Sequence, residues 1–450
     1  MYSFDCKYIG WFIMDNEETN INKTEVIVVG GGPAGISCAI TIARAGKKVI
    51  LIERGKFSGS KNVFGGAIYA QPTREIFPNF ETEAPIERKN IEHKYALLGE
   101  DDATVISHKK KTKDAVSYTV IRGKFDRWMA EEAKKEGVII VEETVVRELI
   151  IEDGFVKGVK TELEDYYANI VVLADGVNSL LAKQVGLRGD LKPEDVALSV
   201  KEVIKLTKEK INERFHVNDD EGCIYEIFGG PMLEMLGLGF MYTNKDSVSI
   251  GLGVTLSELV EKGLRPYDLL DKLKTHPEIA PLIKDGELLE YSAHLIPEGG
   301  YKKVPLLFGA GVMVCGDASM FVNNMHWEGT NLAMISGKIA GETAIIALGK
   351  QDYSEHALAY YQEHLENSFI MKDLNTYKDL MSGVSERAEH FLGYYPRKIN
   401  AFFEMFESVD SVPKREKYHK FIKSIFTDRN ISELFKDAWT AIKLLWGILK

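Results

Sequence analysis

The sequence predicts an α/β fold, with a parallel-sheet domain, an interleaved antiparallel-sheet domain and a helical C-terminal region. Three observations predict it. A short apolar run, a glycine-rich turn, an apolar helix and a second apolar run follow one another between residues 25 and 53. Two more short apolar runs return far downstream, at 170–173 and 312–315. Between them, residues 196–300 hold many short β-like segments. Near-continuous apolar runs of this length are what parallel strands require when helices cover both faces of their sheet.

The elements follow in order. The first fourteen residues, MYSFDCKYIGWFIM, carry one basic residue, Lys7, and no A-x-A cleavage pattern, and the acidic DNEE comes next. They read as part of an extension (1–23) and not as a signal peptide, with Met14 as an alternative start. The strand Val26–Val29 leads into Gly30-Gly31-Gly32-Pro33-Ala34-Gly35, a helix from Ile36 to Ala45, and a second strand, Val49–Ile52, ending at Glu53. Residues 56–80 read as an ordered loop followed by a short helix, and strands alternate with turns from 91 to 121. Phe125–Glu136 is helical by its period, Val138–Val141 is a strand, and Ile170–Leu173 a buried one. Gly237–Tyr242 and Ser247–Val254 typify the antiparallel region; Val312–Cys315 restores the α/β pattern, with a helix from Asn331. From 352 onward the chain reads as helical. No low-complexity linker separates these parts, so the domains interleave: 24–90, 121–195 and 301–351 form one, 91–120 and 196–300 the second, and 352–450 the helical region.

The 450 residues fit about three domains. Hydrophobic residues make up 45% and charged residues 27%, which excludes a disordered or collagen-like chain. No uninterrupted apolar run reaches the roughly 18 residues of a spanning helix. The net charge of −11 argues against nucleic acid as a partner. Cys6, Cys38, Cys223 and Cys315 show no C-x-x-C spacing, so a metal or iron–sulfur cluster held by this chain is not expected. The expected location is cytoplasmic or peripheral to a membrane, on its inner face.

Gly30, Gly32 and Gly35 form G-x-G-x-x-G between a strand and a helix. The first glycine allows the tight turn, the second lets backbone approach a pyrophosphate, and the third lets helix and strand pack closely. Pro33 and Ala34 complete the turn. Glu53, 18 residues past Gly35, is placed to accept from a ribose hydroxyl pair, and an acid there argues against a 2′-phosphate. Arg54 and Val146 are counted with the cofactor-binding positions. The fingerprint alone does not separate NAD from FAD. Two further strand ends, Asp175-Gly176 and Gly316-Asp317, and Arg122 in Ile121-Arg122-Gly123-Lys124-Phe125-Asp126 complete an ordered set. In that order the motifs resemble the FAD-dependent aromatic hydroxylase and reductase superfamily. The resemblance implies an FAD-binding Rossmann-type domain, aromatic hydroxylase/glutathione reductase-like, in which Asp317 holds the ribityl chain. Gly329, Thr330 and Asn331 would then open a helix whose N–H groups face the flavin pyrimidine. Thr330 or Asn331 serves equally as an N-cap.

The loop Gly59-Ser60-Lys61-Asn62-Val63-Phe64-Gly65-Gly66-Ala67-Ile68-Tyr69, together with HWEGTNLAM at 326–334, narrows the match. From Thr24 to 350, and more loosely beyond, the chain resembles the flavoprotein subunit of the FixC type, also called EtfC, which is similar to electron transfer flavoprotein–quinone oxidoreductase. That resemblance implies that Gly65 and Gly66 lie along the isoalloxazine and the quinone entrance. It implies an FAD-dependent subunit passing electrons from electron transfer flavoprotein to a quinone, within a complex that bifurcates electrons from NADH. The four-cysteine set of the larger single-chain enzymes is missing, which places the [4Fe–4S] cluster on a separate small ferredoxin-like subunit. Flavin electron transfer needs position and potential more than a general base, so no catalytic residue is assigned. Tyr69, His326 and Trp327 are the quinone-side candidates, Tyr69 for a carbonyl hydrogen bond and the other two for packing or shielding. Leu434, Phe435, Ala438, Trp439, Ile442, Leu445, Trp446 and Leu449 form one helical stripe that packs on the core, docks a partner or lies in a membrane interface. The alternative functions are a geranylgeranyl reductase-like isoprenoid reductase and an FAD-dependent aromatic hydroxylase.

Overall fold

A computed structural model describes residues 22–61, 66–114, 116–232, 234–379, 383–384 and 386–449. The extension up to residue 21, and the loop positions Asn62, Val63, Phe64 and Gly65, lie outside the described residues. The strands are β1 (Lys23–Val29), β2 (Val49–Ile52), β3 (Ala67–Tyr69), β4 (Ile86–Leu98), β5 (Ala103–Lys109), β6 (Ser117–Val120), β7 (Ile139–Val141) and β8 (Val146–Glu152). They continue as β9 (Phe155–Thr161), β10 (Asp165–Leu173), β11 (Val196–Lys205), β12 (Glu221–Gly229), β13 (Gly237–Thr243), β14 (Ser247–Thr255), β15 (Glu287–Pro297), β16 (Phe308–Gly309) and β17 (Val312–Val314).

The first sheet runs β16-β17-β10-β1-β2-β7. The pairs from β17 to β7 are parallel, with Val28 beside both Leu51 and Val172, and Val172 beside Met313. Parallel pairing in this register brings the C-terminal ends of β1, β2, β10 and β17 to one edge. Gly30, Glu53, Asp175-Gly176 and Gly316-Asp317 therefore gather there, at the edge where open α/β sheets bind their ligands. The helix Pro33–Arg44 packs against the helix Thr330–Lys350. A Cβ on Gly337 would lie 2.0 Å from the Ala34 carbonyl oxygen, and one on Gly341 would lie 2.9 Å from that of Cys38. Two glycines four residues apart thus set the approach of the two helices. The Thr330–Lys350 helix is long and apolar enough to cross a membrane, but 72% of its most apolar window is buried in the protein.

The second sheet runs β15-β11-β14-β13-β12-β4-β6-β3, with β5 on β4. It departs from the sequence reading in two ways. The β4–β12 pair is parallel, with Tyr225 beside Lys94, so the sheet is mixed. β3 and the first residues of β4 pair into this sheet, so its chain begins at 67 and not at 91. The helix read from Phe125 starts at Arg122, because its polar first turn carries no apolar period. The hairpin of β8 and β9, turning at Asp153-Gly154, was not read at all.

The C-terminal region holds the helices Glu355–Asn367, Phe369–Thr376, Tyr395–Glu407, Lys414–Asp428 and Ile431–Leu449. The apolar stripe of the last helix does not pack on the core: Phe435 is 69% exposed, Trp439 51% and Trp446 61%. Asp437, on the inward side, is buried instead. It accepts from Tyr395 at 2.9 Å, contacts the His390 ring and pairs with Arg387 and Arg429. That charge cluster, and not the apolar stripe, fixes the helix to the body of the protein.

Candidate cofactor and substrate site

The glycine turn is built by backbone contacts. Gly30 sits at φ +106°, and a Cβ there would lie 2.3 Å from the Ala174 carbonyl oxygen. A Cβ on Gly35 would lie 1.9 Å from the Gly30 oxygen. Gly32 differs from both: nothing lies within 4 Å of its added Cβ, although it caps the helix that Pro33 opens. This open space before a helix N-terminus is where a diphosphate is held. Glu53 accepts from the Gly31 N–H at 2.7 Å and the Gly55 N–H at 2.6 Å. Each carboxylate oxygen keeps a further lone pair for a ribose hydroxyl. Thr144 and Glu143 donate to the Glu53 and Gly55 carbonyls, tying the loop before β8 to this corner. Val146, half-buried, packs there on the cluster that contains Val29 and Ile52, while Arg54 is exposed.

A cavity of about 730 Å³ starts at Gly32, Pro33 and Ala34 and passes Gly176, Arg122 and Asp317. Arg122 grips Asp126 with two hydrogen bonds, 2.7 and 2.8 Å long. Burial pushes Asp317 up to about 6, against the pull of the Arg122 guanidinium. Burial likewise raises Asp175 to about 6, and Ser179 donates to it at 2.8 Å. Gly316 stands at φ +66° against Ala34. Gly329 and Thr330 line the next stretch. Gly329, not Thr330 or Asn331, is the N-cap of the Thr330–Lys350 helix, and no side chain caps it. Its leading N–H groups are thus left for a ligand. Asn331 is 6% exposed, and its Oδ1 has no partner among the described residues.

The far half of the cavity belongs to the second sheet. Ser199 and His294 are cross-strand neighbours and both line it, as do Phe240 and Tyr242, whose rings stack at 5.0 Å. Gly66 presses on Tyr242, since a Cβ there would lie 2.6 Å from the ring. Burial first, then the charges of Arg122 and Arg54, push the His294 imidazole down to about 4, so it is neutral. Tyr69 and Trp327 line the cavity, but His326 does not: its Nε2 meets the Tyr377 hydroxyl at 2.8 Å, on the exposed side. Burial pushes the Tyr69 phenol up, and the Glu328 and Glu226 carboxylates add to this. Trp327 holds φ +53° and sits 5.9 Å from the Phe228 ring. At its other end the cavity is roofed by Leu392, Ala441, Leu444 and Leu445 of the C-terminal region.

Ser199, Phe240, Tyr242, His294 and Glu298 also line the cavity but carry no local motif in the sequence. Their signal was alternation along β11, β13 and β15, and it is readable only once the strands are paired. Gly65 lies outside the described residues. Among the described residues no group of His, Cys, Asp and Glu is placed to hold a metal.

The open space at Gly32, the partly satisfied Glu53 carboxylate, the uncapped helix start and the orphaned Asn331 oxygen fit a flavin dinucleotide lying along the sheet edge. Family comparisons agree. Residues 23–223 match the description "FAD binding domain", 196–296 match "ETF-QO, ubiquinone-binding", and 381–446 match "ETF-QO/FixC family C-terminal domain". Together these establish an FAD-binding domain in this chain. Protein FixC of Bradyrhizobium diazoefficiens is 42% identical over 426 residues, covering 93% of this chain and 98% of the relative. The probable electron transfer flavoprotein-quinone oxidoreductase YdiS of Escherichia coli is 38% identical over 399 residues, covering 88% and 92%. Among solved structures, a geranylgeranyl bacteriochlorophyll reductase-like protein from Thermoplasma acidophilum aligns with a TM-score of 0.70 at 21% identity, covering 92% of this chain and 98% of that one. The flavin-dependent brominase Bmp2 aligns with a TM-score of 0.62 at 16% identity, covering 90% and 100%. At such identities the solved structures establish the fold alone.

Proposed function

Because the chain belongs to the ETF-QO/FixC family and is an FAD-dependent oxidoreductase, we propose that it passes electrons from an electron transfer flavoprotein to a quinone. The observation that carries this reading is the shape of the cavity. It joins the FAD motifs directly to an apolar chamber whose walls come from the segment matched as ubiquinone-binding.

Bound FAD supplies the two-electron chemistry. The chain's own residues hold, orient and shield. The Gly32 turn and Glu53 would hold the nucleotide end, and Arg122 and Asp317 would hold the part that follows. The uncapped N–H groups at Gly329–Thr330 would stabilise negative charge on the bound cofactor, as a preorganised helix end does. Phe240, Tyr242 and Trp327 exclude water and offer flat apolar surface to a quinone ring, with the Tyr69 hydroxyl in reach of the chamber. Leu444 and Leu445 at the roof suit an isoprenoid tail.

The partners in this reading are electron transfer flavoprotein subunits and a small ferredoxin-like subunit carrying a [4Fe–4S] cluster, within a bifurcating complex. The exposed apolar side chains of the C-terminal helices support a peripheral seat on the cytoplasmic face of a membrane.

An anaerobic spectral titration of the flavin-loaded chain tests the proposal. Reduced electron transfer flavoprotein is added with and without the ferredoxin-like subunit, followed by a short-chain quinone. Bleaching of this flavin, and its recovery on quinone, is the expected result. A flavin reduced only by NAD(P)H and reoxidised by oxygen or an isoprenoid would turn the assignment to a hydroxylase or reductase.

A further inference from the structure

Two carboxylic acids line the cavity, Asp317 on the cofactor side and Glu298 on the far wall. Glu298 follows β15, whose His294 and Ile296 line the same wall, and its N–H donates to the Asp195 carbonyl at 2.8 Å. Thr255 ties it to its surroundings. The Thr255 hydroxyl lies 3.0 Å from Glu298 Oε2 and 3.2 Å from the Leu236 carbonyl oxygen. A hydroxyl has one proton to give, and a carbonyl or a carboxylate can only accept. The Thr255 hydroxyl divides its one proton between these two acceptors, so Glu298 is held by a weak, shared donor. The cavity wall around it is mostly apolar, which favours the neutral acid.

The surroundings agree. Burial pushes Glu298 up to about 7, the Thr255 contact works against this, and the charge of Glu258 adds to it. Glu258 is half-buried on the surface helix Leu256–Lys262 and accepts from the Leu236 N–H at 2.8 Å. The other charges near this corner include Lys262 and Glu261, which act on Glu258 in opposite directions, and the Asp195–Lys303 pair behind the turn, 2.9 Å apart. The two carboxyls flank one short segment of chain, one facing the cavity and one towards solvent.

We propose that Glu298 is the acid that gives a proton to a quinone oxygen as the ring is reduced, and that it is refilled from solvent on the Glu258 side. The proposal rests on the quinone reading above. The balance is complete: the quinone takes two electrons and one proton from the reduced cofactor and one proton from Glu298. The two carbonyl π bonds are lost and two O–H bonds form, while one N–H bond of the reduced cofactor, which is oxidised by two electrons, and the Glu298 O–H bond break. Glu298 is left as a carboxylate until water returns the proton.

The test uses the full, FAD-loaded chain and its Glu298→Gln and Glu298→Asp variants. Ferricyanide takes one electron and no proton, so reoxidation by ferricyanide stays at the wild-type rate in both variants. Reoxidation by a short-chain quinone falls about 10²-fold in Glu298→Gln. In wild type that rate is high below pH 7 and declines as pH rises through it, because the acid form is the active one. Glu298→Gln loses this limb, and Glu298→Asp restores part of the rate and a limb. Independently of turnover, infrared difference spectra of the cofactor-free chain show a protonated-carboxyl band that titrates near pH 7 and is missing in Glu298→Gln. Unchanged quinone rates with an unchanged pH profile in Glu298→Gln would overturn the role of Glu298 alone. A wild-type flavin that no quinone reoxidises would overturn the quinone reading and this proposal with it.

Discussion

A single atom's worth of space separates the glycines of the turn. Gly30 and Gly35 are required by backbone within 2.3 Å or less of their missing Cβ, so a side chain at either disrupts the fold. Packing does not require a glycine at Gly32, because its Cβ would meet nothing within 4 Å, and in the reading proposed above that space serves the bound cofactor. Gly32→Glu is therefore expected to melt, cofactor-free, at nearly the wild-type temperature while purifying colourless. The flavin-to-protein absorbance ratio and a thermal melt check both halves. These glycines, Glu53, Arg122 and Asp317 were legible because each is fixed within a short stretch by local geometry. His294 and Glu298 were not, since a lone His on a strand, or a Glu just past its end, acquires its meaning from the residues it meets across the sheet.

At the scale of elements, the C-terminal helix Ile431–Leu449 shows how an apolar stripe can mislead. Its period was correctly read as helical, but its buried side is set by Asp437, 1% exposed, and by Arg387, Arg429, His390 and Tyr395 around it. Removing one partner of a buried ion cluster strands the remaining charges at a cost of roughly 3–5 kcal/mol. Asp437→Ala is expected to free this helix, unroofing the cavity at Leu444 without touching the nucleotide motifs. Limited proteolysis should then cut within the last helices while bound FAD is retained; an uncut C-terminus would count against the clamp. The long Thr330–Lys350 helix is the opposite case. Its composition suits a membrane, yet Gly337 and Gly341 seat it against the Pro33–Arg44 helix in the core.

For the molecule as a whole, the cavity roof and the exposed apolar surface belong to the same C-terminal region. Phe403 and Phe406, Ile422 and Phe426, and Trp439 and Trp446 are exposed on three successive helices. Exposed apolar surface on this scale marks a protein or membrane contact. With the quinone and membrane readings proposed above, the intact chain is expected to float with liposomes of bacterial lipid composition. The double variant Trp439→Glu, Trp446→Glu should stay in the soluble fraction with its FAD content intact. Equal flotation of both proteins would remove the membrane seat from this face and leave it to a partner subunit.

The sequence by itself determined the cofactor and the family, because glycine turns, strand ends and helix starts are written in contiguous residues and enforced by backbone sterics. Only the tertiary structure decided where the substrate side lies and which face of the last helix meets solvent. Those depend on strand register across more than a hundred residues and on charges that meet only after the chain has closed on itself.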